Sequence, residues 1–203
     1  AFAQNDSLSI INLPTTLVSL GNTVFKDCKS LTKIVIPNSV DSLGKYPFPF
    51  ESGVFSGCTA LTDLTLGENL QFIAEYTFLG CNALQTVTTL AQIPPQLQWE
   101  DNCFPKPNHA DLIVACGSLT EYVTSQDWTG YFTNSISEIV YDVEVSSEDE
   151  NKGIVTMQRD CSTATLTAIA NTCFRFHTWS DGNTENPRVV SLDSDTNLIA
   201  IFG

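Results

Sequence analysis

Basic side chains are scarce in this sequence. Nine Lys and Arg stand against 23 Asp and Glu in 203 residues, a formal net charge of −14. The few basic residues form no cluster, so the counterion release that drives nucleic-acid binding has no source. An anionic membrane surface would repel such a chain. The acid excess reads as a solubility device of a secreted or surface protein. Long apolar runs are lacking too: no stretch approaches the roughly 18 apolar residues of a membrane-spanning helix. The opening AFAQNDSLS has neither a basic n-region nor an apolar h-region. That leaves a cytoplasmic chain or one whose signal segment was removed ahead of residue 1. Among the seven cysteines no C-x-x-C pair occurs, which excludes thioredoxin-type and zinc-ribbon readings. An odd cysteine count in a chain this long does not suit a disulfide-stapled miniprotein.

What the sequence does contain is repetition. The stretch Leu61–Ala83, LTDLTLGENLQFIAEYTFLGCNA, recurs before and after itself. Its openers are Leu8, Leu31, Leu61 and Leu84, at intervals of 23, 30 and 23 residues. The longer interval holds an insertion near Lys45–Glu51. Three residues after each opener stand Ile11, Ile34, Leu64 and Val87. Five after stand Leu13, Ile36, Leu66 and a departure, Thr89. With the insertion allowed for, Phe25, Phe55 and Phe78 coincide, as do Cys28, Cys58 and Cys81.

Positions two apart face one side of a short strand. Pro14, Pro37 and Gly67 follow and stop it. Strands of successive units then stack in parallel at about 4.8 Å, with the rest of each unit covering them. Cys28, Cys58 and Cys81 become rungs of a buried ladder. Stacked side chains run parallel rather than converging, so these are expected to be free thiols, not disulfides, metal ligands or nucleophiles.

The pattern L-x-x-I-x-I-P-x-x-V-x-x-L-G…F-x-x-C over Leu31–Cys58 resembles the BspA-like leucine-rich repeat of bacterial cell-surface proteins, closely from Leu8 to about Leu97. Open ends of such a solenoid need caps. Residues 91–140 supply one. AQIPPQLQ breaks the regular coils, DLIVACGSLTEYV reads as a strand and then a helix, and Trp128, Tyr131 and Phe132 give bulky cover. Ser118 and Glu121 form an S-x-x-E capping box for a helix from about Leu119 to Ser125. SISEIVY closes with a strand.

From Asp142 the signal changes to short alternating runs between turn clusters, with no helix pattern. Phe174-Arg175-Phe176-His177-Thr178-Trp179-Ser180-Asp181-Gly182, followed by Asn186-Pro187-Arg188, is similar to the internalin B-repeat-like module, a spacer or stalk in bacterial surface proteins. The expected fold is therefore an α/β leucine-rich-repeat solenoid of parallel strands, short helical returns and a C-terminal cap over 1–141. A small all-β domain follows over 142–203.

Chemistry is thin. His109 sits in a Pro/Asn-rich loop and His177 in a strand of the other domain, neither beside metal-spaced ligands or a nucleophile. No catalytic residue, metal ligand or cofactor is assigned. Asp193-x-Asp195-x-Asn197 imitates a calcium loop, but Leu198 replaces its glycine. Asp181, Asn183 and Glu185 are similarly incomplete. Both clusters read as hairpin turns. Cys161 and Cys173 flank a strand over 164–169, whose ends lie roughly 20 Å apart. Nothing fixes the separation of Cys103 and Cys116, which leaves a pair inside the cap open.

Two candidate binding features remain. In the insertion KYPFPFE, Tyr46, Phe48 and Phe50 alternate with prolines, as anchors on a stiff loop or as rings folded back onto the solenoid. The outward side of the strands carries Ile10 and Asn12, Lys33 and Val35, Asp63 and Thr65, Thr86 and Thr88, as a recognition face or an inert one. The reading expected from all this is a non-enzymatic surface or secreted protein that recognises proteins, host extracellular or matrix proteins or other bacterial surface proteins. It would neither bind nucleic acid nor insert directly into a membrane. A structural stalk without a ligand site is the alternative.

Overall fold

The computed structural model describes residues 2–44, 53–98, 102–106 and 108–203. The chain divides into two compact units, Ala1–Ile139 and Val140–Gly203. In the first, strands alternate between two parallel sheets. They run β1 (Ser19–Leu20), β2 (Lys33–Val35), β3 (Ser42–Leu43), β4 (Asp63–Leu66), β5 (Phe72–Ile73), β6 (Thr86–Thr89), β7 (Gln96–Leu97) and β8 (Asp111–Val114). Helices α1 (Leu119–Thr124) and α2 (Gln126–Tyr131) and strand β9 (Ile136–Glu138) follow. One sheet has the order β2-β4-β6-β8-β9, the other β1-β3-β5-β7. Ile34, Leu64, Val87, Leu112 and Ile136 lie in register across the first. Leu20, Leu43, Ile73 and Leu97 do so across the second. Side chains from both sheets share one core.

Three expectations need correction. The returns are not helical: among the described residues of the repeats they are turns and two-residue strands. A segment such as Asn38–Leu43, NSVDSL, is short and made mostly of weak helix formers, too little to complete a helical nucleus. Its backbone donors bond between coils instead. Asp41 N–H donates to Val18 O at 3.0 Å, Gln71 to Asp41 at 2.9 Å and Gln96 to Gln71 at 2.9 Å. Nor does AQIPPQLQ end the coils, because β7 within it and β8 beyond it extend both ladders. Pro94 and Pro95 precede β7, where their missing N–H groups cost no ladder bond. Finally, Ile10–Asn12 forms no strand. Leu8, Ile11, Leu13 and Leu17 are only half buried, whereas Leu31, Ile34, Ile36 and Val40 are sealed.

Phenylalanine is the second organiser. Phe2, Phe25, Phe55, Phe78 and Phe104 stack with centroid spacings of 5.4, 5.2, 5.5 and 4.9 Å. The first three pairs are within 3° of parallel. The column ends at Tyr131 and Phe132, which meet Phe104 edge-on at 5.4 and 5.2 Å, with Trp128 tilted against it at 5.9 Å. Beside it runs the thiol ladder. Cys28, Cys58 and Cys81 are buried and free, each donating to the carbonyl of the preceding rung: Phe2, Phe25 and Phe55, at 3.1, 3.1 and 3.2 Å.

The start of α1 is capped from a distance. Ser118 makes no side-chain cap bond; its hydroxyl donates back to Ala115 O at 2.6 Å. Glu138 of β9 replaces it, its Oε1 accepting from Gly117 N at 3.0 Å and Leu119 N at 2.9 Å. A carboxylate reaches two donors at once and suits the positive end of the helix. Glu138→Ala is expected to cost about 1 kcal/mol in urea unfolding, the usual loss for a cap. Glu138→Gln, which keeps an acceptor, should cost less; equal losses would refute the capping role.

The second unit carries β10 (Val143–Ser147), β11 (Gly153–Arg159), β12 (Thr163–Ala170), β13 (Phe176–Trp179), β14 (Arg188–Ser191) and β15 (Thr196–Phe202). They form sheets of order β10-β15-β13 and β11-β12-β14. Trp179, Leu166, Leu198 and Phe202 share its core. The Trp179 ring nitrogen donates to Glu185 O at 2.8 Å, which folds the 181–187 turn over the ring.

Candidate functional site

The turn carboxylates of the second unit are engaged individually. Arg188 pairs with Asp181 at 2.7 Å, and this contact lowers the Asp181 pKa. Asp195 accepts from Asp142 N at 2.9 Å, while the Asn197 amide donates to Glu144 at 3.0 Å. These oxygens serve turn and strand bonds. His109 and His177 are both exposed, in different units. Cys103 and Cys173 are free thiols, so neither the Cys103–Cys116 nor the Cys161–Cys173 pair forms. Burial pushes Cys103 up to about 12 and raises Cys28. The neighbouring Cys58 thiol, then burial, push Cys81 well up. Thiols held protonated this way are poor nucleophiles and poor metal ligands.

Tyr46, Phe48 and Phe50 lie outside the described residues. The strand face is described. Across adjacent strands Lys33, Asp63, Thr86 and Asp111 form one outward row, and Val35, Thr65, Thr88, Ile113 and Ser137 a second. Alternation within each strand creates them, since Ile34, Leu64, Val87 and Leu112 point into the core. Lys33 and Asp63 stand opposite each other in register, and the Asp63 carboxylate accepts from Thr62 Oγ1 at 2.6 Å. Val35 is 48% exposed and Ile10 71% exposed. With Lys33, Asp63 and Asn12 they line a depression of about 330 Å³. Thr65 pairs with Val35 beside it. The structure thus brings together the four strip residues Lys33, Val35, Asp63 and Thr65. Sequence reasoning stopped the strip at Thr88. Asp111, Ile113 and Ser137 extend it, and the alternation in DLIV was the available signal.

Thr89 also finds its explanation here. It stands where other coils carry Leu or Ile, and it is fully buried. Tyr122 of α1 donates its hydroxyl proton to Ala91 O at 3.0 Å and so accepts from Thr89 Oγ1 at 2.9 Å. Burial raises the Tyr122 pKa to about 12. The departure from the repeat is the cap's anchor.

The ladders, the outward strip and the apolar rungs are those of a stacked repeat, and residues 1–106 and 49–142 match the model of the BspA type leucine rich repeat region, with six copies. The chain belongs to this family. Its BspA-type repeats, most of the sequence, are a scaffold that typically mediates protein–protein interaction and is typically non-enzymatic. Neither a curated protein nor a solved structure matches the chain significantly.

Proposed function

We propose that this chain is a non-enzymatic surface or secreted protein that recognises another protein through the outward strand face. The observation that carries the reading is the depression at Ile10, Lys33, Val35 and Asp63. Exposed Ile10 and Val35 stand there beside the in-register Lys33 and Asp63 of adjacent parallel strands. Apolar area beside a cation and an anion suits a protein partner, with burial supplying affinity and charge fixing register. The partner is a host extracellular or matrix protein or another bacterial surface protein. The net charge of −14 supports a partner other than nucleic acid. Among the described residues no helix is long and apolar enough to cross a membrane. The second unit serves as a spacer, a reading supported by the likeness of its Trp179-Ser180-Asp181-Gly182 sequence to the internalin B-repeat-like module.

Photo-crosslinking from position 35 on whole cells should trap a discrete surface protein. Lys33→Asp and Val35→Glu should each cut capture by roughly tenfold or more, the loss of one good anchor. Unchanged capture would remove the strip from consideration, and deleting Lys45–Glu51 in parallel tests the aromatic insertion. Retention of the full-length protein in the cytoplasm on cell fractionation would sink the surface assignment.

A further inference from the structure

A second, separate groove of about 610 Å³ opens where the third and fourth coils turn between the two sheets. Its floor is apolar, with Leu70 and Ala91 each 2% exposed. At its edge stands Ile93, 77% exposed and the most exposed of the large hydrophobic residues among those described. This isoleucine is not on a loose loop. Pro94 and Pro95 follow it. Tyr122 donates to Ala91 O at 3.0 Å, Trp128 Nε1 to Pro95 O at 3.0 Å and Gln92 Nε2 to Cys116 O at 3.3 Å. The cap therefore holds an apolar side chain out in water on a fixed backbone, so little ordering is needed when it is covered.

The polar groups of the groove select what covers it. Gln71 and Gln96 line it, and among the described residues their side-chain amides make no hydrogen bond. Each offers a donor and an acceptor together, the complement of the N–H and C=O that an extended peptide leaves unpaired. A folded surface has already used most of those groups. Among the described residues the one charged side chain lining it is Glu68. With the net charge of −14 it favours a cationic neighbour and repels anions. Among the described residues no aromatic ring lines the groove.

We propose that this groove binds an extended peptide segment in which an apolar side chain, seated against Ile93 and Leu70, is flanked by basic residues facing Glu68. The site is distinct from the strand face. It would let one repeat stack hold a partner's folded surface and an unfolded tail independently.

The test uses the full chain and two labelled heptapeptides, one with a central leucine flanked by arginines and one with glutamates in place of the arginines. Fluorescence anisotropy should show binding of the arginine peptide and at least about tenfold weaker binding of the glutamate peptide. Ile93→Asp should weaken the arginine peptide by roughly tenfold or more. Glu68→Arg should reverse the preference between the two. Both positions are exposed, so an unchanged melting curve is expected and separates loss of the site from loss of the fold. Val35→Glu should leave peptide binding untouched, which keeps the outcome independent of the strand face. The proposal is overturned by no binding of the arginine peptide, by equal binding of both peptides or by parent-like binding to Ile93→Asp. It is equally overturned if a neutral hexasaccharide binds the parent chain and loses affinity in Ile93→Asp.

Discussion

Phe55→Ala is expected to destabilise the repeat unit by roughly 3–5 kcal/mol, the range for truncating a buried aromatic. Phe55 is fully buried and stacked on both sides, 5.2 Å from Phe25 and 5.5 Å from Phe78. Its neighbours cannot collapse into the gap, because each ring is held at the spacing of its own coil by the interstrand ladders. Both flanking stacks are lost at once, and the Phe55 carbonyl that accepts from Cys81 sits at the same point. Phe2→Ala removes the same ring from the end of the column, where it is 45% exposed and stacked on one side. Its cost should be only about 1–2 kcal/mol, in proportion to the smaller area buried. Urea unfolding of both variants checks this. Equal losses would show that position in the column does not matter and would defeat the ladder argument.

That column shows how far the sequence could be read. Phe25, Phe55 and Phe78 fall into line once the Lys45–Glu51 insertion is removed, because a stacked repeat makes equivalent positions touch their own copies. Cys28, Cys58 and Cys81 follow for the same reason. Phe2 was missed because it precedes the first opener, and Phe104 because extra residues between Leu84 and Phe104 displace it from the expected offset. Interactions between unlike positions left no periodic trace. Glu138 caps α1 from 19 residues away, and the local Ser118–Glu121 box was the stronger pattern on paper. Helix α2, QDWTGY, is six residues containing Thr and Gly, too short and too poor in helix formers to announce itself. It forms because Trp128 and Tyr131 are buried, a tertiary cause. The strand face was legible because alternation is local. The groove at Ile93 was not, since it needs two successive coils to line it and the cap to hold the loop bearing Ile93.

The second large effect is expected at Trp128. Trp128→Ala should cost roughly 3–5 kcal/mol, although the residue belongs to the cap and not to the repeats. It is fully buried between two cap partners, 5.2 Å from Tyr122 and 5.7 Å from Phe132, and lies 5.9 Å from Phe104 at the end of the column. Removing it opens a cavity where the stack ends. It also leaves the buried Pro95 carbonyl without the indole donor, and an orphaned buried acceptor carries its own penalty of about 1–3 kcal/mol. Trp128→Phe separates the two contributions, since a benzene ring fills most of the space but donates nothing. Its loss should therefore be the smaller one, near the hydrogen-bond share. Because Pro95 anchors the loop bearing Ile93, both variants should also loosen that loop, with faster amide exchange at Gln92 and Ile93 even under conditions where the repeats stay folded. If Trp128→Ala changed stability by less than about 1 kcal/mol, the exposed end of the stack would be stable by itself, and the cap would be an attachment to the repeats instead of their closure.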